Sequence, residues 1–511
     1  MLTKWGSCLQ NEVQNERIDI SSAVEAKSLD RRQLESGRLA RQAAQGAAAL
    51  FVRQGLVYGS NIAGGVILSR MLTPADFGFY GVVLFFVVFL NIFGGTGFAA
   101  NLIRTEEHPS LADFRAVFTA QQAVVGLIFL GVWAVAPWLA SHYHMEHNGS
   151  AFFRLIGVAL VLTSLMVISQ VLMERELAFS KLAVVEVAQA VTFNLAAILL
   201  AWRGVGVLSF SIALVMRAAC GALLSSVMEP WSMGWLWDST VLKRHIRYGL
   251  ALQGGQFISL AKDSITPIFV GLHLGAAKMG YVTWAATLAG YPTMMLTPLQ
   301  RLYLPFFARL QSDRKELRRY AAHAMWMANA FAAPLVVTTI ALAHPITALI
   351  FASKWLVALP LFYCLAVANV LASGSAPMLG LLNATGKSHV TLMLAIVWMI
   401  TTWAFGIPLM MKFGMIGFGI AVIAVQITNI GLYWVIWREV SLSVLPTYWP
   451  CWPVAIAIGS LMLLLQRIWP ICEIATLAAY VLVGLIVYAT ILWFGFPRQT
   501  RILGRIIKQS A

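Results

Sequence analysis

Five ionisable side chains stand in apolar surroundings: Arg53, Glu186, Arg217, Lys262 and Asp263. Each falls within a run of about 20 mostly apolar residues, the length that crosses a bilayer. A charge at that depth costs at least about 2.5–3.5 kcal/mol, so such groups face a water-filled cavity or one another. Arg217 lies near the middle of 206–228, too deep to reach the head groups comfortably. Arginine presents a planar fork that matches phosphate, and lysine a compact point charge. A carboxylate in the same place can take up a proton or a cation. These residue types point to recognition of an anion with ion coupling. Arg53, Arg217 and Lys262 are therefore candidate substrate-binding residues, and Asp263 and Glu186 candidate ion-coupling residues.

Spacing adds two more. Gln253, Gln256, Ser259, Asp263 and Thr266 recur every three or four residues and share one helical face, so Gln253 and Gln256 join the substrate-binding set. Pro267 follows and disturbs the helix locally. A lesser stripe runs through Gln54, Tyr58 and Asn61 to Gly65. Each residue also has a plainer reading. Arg53 can extend its head to the nearer membrane surface, Glu186 can pair with Lys181, and Lys262 with Asp263 can form an ion pair that only packs helices. His142, His144 and His147 have HxH spacing, but in a polar connection, and read as exposed residues rather than metal ligands. The chain has no Walker A, GxGxxG, HExxH or GxSxG in a suitable context, so no catalytic residue, metal or cofactor is assigned.

The elements that position these residues follow from composition. Of 511 residues, 59% are hydrophobic and only 11% charged, and the mean hydropathy is +0.77. That excludes a soluble fold, which needs far more charge, and disorder, which needs low hydrophobicity. Five cysteines without a CxxC pair exclude a disulfide scaffold or a cysteine zinc site. About fourteen segments are long and apolar enough to span, near 46–69, 79–100, 117–140, 152–172, 182–201, 206–228, 247–271, 280–300, 321–343, 358–381, 390–411, 415–437, 448–466 and 473–496. They are continuous apolar runs without the period-2 alternation of barrel strands. The fold class is all-α, polytopic and membrane-spanning.

The net charge of +15 is unevenly placed. With the N-terminus in the cytoplasm, most Lys and Arg fall in cytoplasmic connections, as the positive-inside rule requires. Both termini are then cytoplasmic, and nucleic-acid binding is not needed to explain the charge. Residues 1–45 read as a polar cytoplasmic arm without a secretory signal. Residues 72–80 resemble 274–282 at an offset of 202, with Leu72 and Leu274, Gly78 and Gly280, and Phe79 and Tyr281 in register. Ala136-Pro137 and His344-Pro345 end the third and ninth spans alike. These matches predict two six-helix lobes, 46–228 and 247–437, joined by a basic cytoplasmic linker, 229–246. Residues 438–511 then hold two further transmembrane helices and a basic tail. Two lobes in one orientation, with a cleft between them, are the architecture of an alternating-access carrier.

The stretch Leu68–Tyr80 (LSRMLTPADFGFY) resembles the signature of bacterial polysaccharide-repeat flippases, the Wzx-type polysaccharide transporter branch of the MOP exporter superfamily. Leu172–Lys181 (LMERELAFSK) and Leu382–Lys387 (LNATGK) resemble two of its inner loops, so the likeness covers about 46–440. The resemblance implies a MOP/MATE-like fold of two lobes that rock between inward- and outward-open states in the bacterial inner membrane. It implies transport of undecaprenyl-pyrophosphate-linked oligosaccharide units for O-antigen, capsule or exopolysaccharide. The partners it implies are membrane lipids, the lipid-linked oligosaccharide and the polymerase and export machinery, with H+ or Na+ coupling. The family motifs lie in loops and carry over no cavity residue. The alternative is a MATE-like cation-coupled drug antiporter, which calls for carboxylates within the first lobe, where the spans offer only Glu186.

Overall fold

The computed structural model describes residues 53–90, 92, 102, 109–145, 148–176, 178–240, 255–294, 297–311, 313–444 and 450–495. They are almost wholly helical and contain no strand. Helices α1 (53–71), α2 (Pro74–Leu90), α3 (Leu111–His142), α4 (Gly149–Arg175), α5 (Phe179–Trp202) and α6 (Leu208–Met228) form a first set. Helices α7 (Gly255–Leu274), α8 (Ala276–Met294), α9 (Thr297–Leu310), α10 (Arg314–Ala341), α11 (Ser353–Ala384), α12 (Ser388–Phe413) and α13 (Met415–Val440) form a second. Two more follow, α14 (Cys451–Ile468) and α15 (Ile474–Gly495).

Eleven of these helices are long and apolar enough to cross a membrane. The other three expected spans fall on α1, α2 and α8, which do not meet those limits within the described residues. Helix α8 has a physical reason to be less apolar. Met279, Gly280, Thr283, Trp284 and Leu288 are buried against protein, so little of it needs to suit lipid. The count of fourteen stays an expectation. The connection expected at 301–320 is instead largely helical, because α9 runs to Leu310 and α10 begins at Arg314. Within α7 the regular helix is interrupted after Asp263, and wide π-helical turns run over Thr266–Leu274. Pro267 has no N–H for the α-helical ladder, and the wider turn accommodates its ring. The N-terminal arm, Gln253 and most of the basic stretch after 240 lie outside the described residues.

The motif Thr73–Asp76 is a helix start. Thr73 N donates to Asp76 Oδ2 at 3.0 Å and Asp76 N donates to Thr73 Oγ1 at 3.2 Å, with Pro74 at the first helical position. This reciprocal box satisfies two amides that the helix itself leaves free. Ser110 and Asp113 build the same box at the start of α3.

Helices α2 and α8 cross here with backbone against backbone. A Cβ on Gly78 would stand 2.1 Å from Ala276 O, and one on Gly280 only 1.7 Å from Pro74 O. Positions 276 and 280 stand 202 residues after 74 and 78, so each copy of the repeat makes the contact that the other makes in return. That reciprocity is what a two-fold axis produces. Gly81 lies against Thr283, the residue at the same offset of 202.

Hydrogen bonds between the two sets gather at the same end. Trp355 Nε1 donates to Ser69 O at 3.0 Å, and Tyr143 Oη to Pro267 O at 2.7 Å. Lys354 Nζ donates to Leu72 O at 2.6 Å, while Arg70 donates to Leu349 O and Ile350 O. Each cation thus caps the carbonyl end of a helical segment from the other set, where the helix dipole favours positive charge. A single apolar core underlies these bonds, joining Phe77, Phe152 and Phe210 to Trp284, Trp355 and Phe362.

The last two helices are less of an appendage than their place in the chain implies. Asn329 on α10 is fully buried, and its Oδ1 accepts from Ser373 Oγ (2.8 Å) and Trp452 Nε1 (3.2 Å). Gln466 Nε2 donates to Ala341 O at 3.2 Å, and a second core shared by α9–α14 and α15 includes Phe307, Trp326, Trp452 and Tyr488.

Candidate functional site

Below the closed end lies a cavity in two chambers. The first, about 210 Å3, is bounded by α1, α2 and α6 on one side and α8 on the other, with Tyr58, Asn61, Tyr80, Thr287 and Tyr291 in its walls. The second, about 280 Å3, lies within the first set, between Asn61, Gln170, Glu186 and Gln189. Asn61, Val87, Phe193 and Arg217 line both. Arg217 reaches them from α6, where Ser211, Leu214, Ala218, Gly221 and Ser225 form the buried face that fixes the helix against α5.

The guanidinium of Arg217 makes no hydrogen bond or ion pair among the described residues. Its polar neighbours across the chambers are Asn61, Gln170, Glu186 and Gln189. An arginine that packs for structure is satisfied by carboxylates or carbonyls. This one is partly exposed and keeps its donors for whatever enters. Asn61 is itself positioned: Asn194 Nδ2 donates to Asn61 Oδ1 and Ser60 Oγ, each at 3.1 Å.

Arg53 and Glu186 meet across 133 residues of chain, with Nη1 3.0 Å from Oε1. Arg53 is only 5% exposed and its partner 43%. The arginine therefore neither extends to the membrane surface nor lines the cavity. It holds Glu186, which does. The pairing of Glu186 with Lys181 is not found, because Lys181 bonds Glu229 at 2.7 Å. The second set carries the matching pair, Lys387 with Glu439, also between the start of one span and the end of the next.

Lys262 and Asp263 form their mutual ion pair at 2.7 Å. They lie apart from Arg217, beside a separate cavity of about 370 Å3 within the second set, together with Thr266, Ser375, Thr402, Gln426 and Asn429. Ser375 Oγ and Asn429 Oδ1 are buried there and have no hydrogen-bond partner among the described residues. Gln256 is exposed. Arg217 and Glu186 are thus brought to one cavity, with Arg53 behind them, and Lys262 and Asp263 to another. Sequence reasoning missed Gln189 and Gln170. The signal for Gln189 was present: Glu186, Gln189 and Phe193 follow at three and four residues and so share the cavity-facing side of α5.

An apolar cavity of about 550 Å3 adjoins the first chamber and shares Ile62, Leu288, Tyr291 and Phe351 with it. Val66 of α1, Leu335 of α10 and Leu477 and Val481 of α15 complete its walls. A polar chamber lined by an arginine that is unpaired among the described residues, beside an apolar cleft, can hold an amphipathic anion.

Comparison with known proteins places the chain in a family and a fold. Residues 67–360 match the model of a family described as polysaccharide biosynthesis protein. The succinoglycan biosynthesis transport protein ExoT of Rhizobium meliloti is 22% identical over 66% of this chain and 68% of its own length. The teichuronic acid biosynthesis protein TuaB of Bacillus subtilis is 21% identical over 63% and 67%. Among solved structures, the inward closed conformation of the lipid II flippase MurJ superposes with a TM-score of 0.69 at 12% identity, covering 89% of this chain and all of that one. An inward-facing multidrug resistance MATE transporter of the MOP superfamily gives 0.58 at 13% identity, with 84% of this chain covered and all of the other.

Proposed function

This chain belongs to the family of polysaccharide biosynthesis proteins, as a multi-pass membrane transporter with the MOP superfamily fold, and we propose that it flips lipid-linked oligosaccharide units across the bacterial inner membrane. On this reading the substrate is an undecaprenyl-pyrophosphate-linked repeat unit destined for a surface polysaccharide. Both termini face the cytoplasm, and the closed end faces outward. The observation that carries the reading is the guanidinium of Arg217, unpaired among the described residues, over a polar chamber.

The steps follow from the groups present. The pyrophosphate meets Arg217, whose fork donates to two phosphate oxygens at once. Sugar hydroxyls meet Asn61, Gln170 and Gln189, which offer both donors and acceptors. The isoprenoid lies in the apolar cleft between α1 and α15, so the polar head crosses while the tail stays in lipid-like surroundings. Opening the α2–α8 contact releases the head on the far side. Arg53 sets the position of Glu186, which faces the same chamber as Arg217 and is the first candidate for ion coupling. Asp263, beside its own polar cavity, is the second candidate for ion coupling.

The test is genetic and chemical. The gene is deleted in its host and complemented with the parent, Arg217→Gln or Lys262→Gln. Deletion is expected to abolish the surface polymer and to leave lipid-linked units on the inner leaflet. Arg217→Gln, present at parental level, should not restore export. Lys262→Gln should restore it, because Lys262 lies outside the Arg217 chambers. Intact polysaccharide with raised drug sensitivity would overturn the flippase reading in favour of a cation-coupled drug antiporter.

A further inference from the structure

A second basic site lies at the end of the molecule where α10 begins. A cavity of about 470 Å3 opens between the first turns of α10, the Thr385–Lys387 turn that joins α11 to α12, and the last residues of α13. Arg314, Lys315, Arg318 and Lys387 line it, against one carboxylate, Glu439. Glu439 is taken by Lys387. The other acids nearby are also occupied. Asp313 caps α10 by accepting from Lys315 N (2.9 Å) and Glu316 N (3.1 Å), and Glu316 pairs with Arg319 at 2.9 Å. Arg314, Lys315 and Arg318 are exposed, and their side chains make no ion pair or hydrogen bond among the described residues.

Folding does not ask for this arrangement. Cations in the first turns of a helix face the positive end of its dipole, which disfavours them. The rule that places Lys and Arg on one side of a membrane explains their sign. It does not require three of them to converge with a fourth, from another helix, on one concave site. An anion seated there would answer both the side chains and the dipole. Its depth is also set. Helix α10 carries Arg314, Lys315, Glu316, Arg318, Arg319 and His323 in its first turns and no charge from there to Ala341. The cavity therefore sits where a spanning helix passes from hydrocarbon to head groups.

We propose that this cavity binds the phosphate of an anionic phospholipid head group. The lipid would fasten α10, the α11–α12 turn and the end of α13 to one another, and Arg314 and Arg318 would take its phosphate in their forks. The site is separate from the Arg217 chambers and stands whether or not the flippase reading does.

The purified full-length protein is titrated with phosphatidylglycerol, phosphatidylcholine and inorganic phosphate, and bound molecules are counted by native mass spectrometry. The parent is compared with the triple substitution Arg314→Gln, Lys315→Gln, Arg318→Gln. Each basic residue contributes about fivefold in affinity for an anionic head group, so the triple variant is expected to bind phosphatidylglycerol on the order of 100-fold more weakly at one site. Phosphatidylcholine binding should not change. If the triple variant melts earlier than the parent in phosphatidylcholine, the single substitutions Arg314→Gln and Arg318→Gln are read instead, at about fivefold each. Equal phosphatidylglycerol binding by parent and variants would overturn the site. Displacement of the lipid by an equal concentration of inorganic phosphate would overturn the lipid as its ligand.

Discussion

One added methyl group, Gly280→Ala, probes the closed end of the cavity. Its Cβ would lie 1.7 Å from Pro74 O and 3.0 Å from Gly78 N. Carbon–oxygen contacts begin near 3.3 Å, so α2 and α8 must part by about 1.6 Å. Both obstructing atoms are backbone, and no side chain can swing aside. The Trp355–Ser69 hydrogen bond, 3.0 Å long, cannot survive such a movement. The bonds of Arg70 and Lys354 to backbone carbonyls of the opposite set are strained with it. Overpacking costs about 1–3 kcal/mol, and each lost hydrogen bond about 1 kcal/mol, or somewhat more for a charged donor. A combined loss near 3 kcal/mol shifts the ratio of open to closed molecules by about 100-fold. The assay places a cysteine at Asn61, in the cavity wall, in a cysteine-free background. A membrane-impermeant thiol reagent is then applied from each face. Gly280→Ala should raise labelling from the face that bears Thr73 and slow transport. Gly126→Ala is the control, since nothing lies within 4 Å of a Cβ there. If Gly280→Ala labels and transports like the control, the contact does not govern closure and the reasoning fails.

Four further outcomes are expected. Glu186→Gln strands the buried Arg53 and should cost about 2–3 kcal/mol in stability, at the low side of values for buried pairs because Glu186 is 43% exposed. Arg53→Met added to it should recover part of that loss, and additive melting shifts would deny the coupling. Asn329→Ala removes the acceptor shared by Ser373 and Trp452 and should lower stability by about 2–4 kcal/mol, with α14 loosening first in hydrogen exchange; unchanged protection of α14 would refute this. Glu229→Gln and Glu439→Gln break the two repeat-related ion pairs, which are partly solvated, and should each cost under about 1 kcal/mol in thermal unfolding. Arg217→Lys keeps the charge but not the fork, and its transport rate should fall between those of the parent and Arg217→Gln; a rate equal to that of Gln would mean that charge at this position does not suffice.

Features that depend on neighbours along the chain are legible before any fold is known. Apolar runs of spanning length became helices at or near their expected places from Leu111 to Trp202 and from Arg314 to Gly495, because a backbone without water must bond within its own segment. The box at Thr73 and Asp76 and the break at Pro267 are equally local, each fixed by a few adjacent residues. The repeat was legible as well, through Gly78 and Gly280, although its purpose was not. Only the packed structure shows that these two glycines are the points where the copies touch.

Side-chain partners come from the packing of the helices. Arg53 could have extended to lipid, and Glu186 could have paired with Lys181 five residues away. Which carboxylate meets which cation depends on how α1, α5 and α6 are rotated against one another, and an apolar run does not specify its own rotation. For the same reason Lys262 was expected in the cavity with Arg217 and lies elsewhere. A polar stripe shows that one face of a helix avoids lipid. It does not show which neighbour that face turns to, since several buried environments satisfy it equally well. Arg217 is the opposite case. Its depth alone demanded a cavity, and the packing of α1, α2, α5, α6 and α8 supplied one in which its guanidinium is unpaired among the described residues.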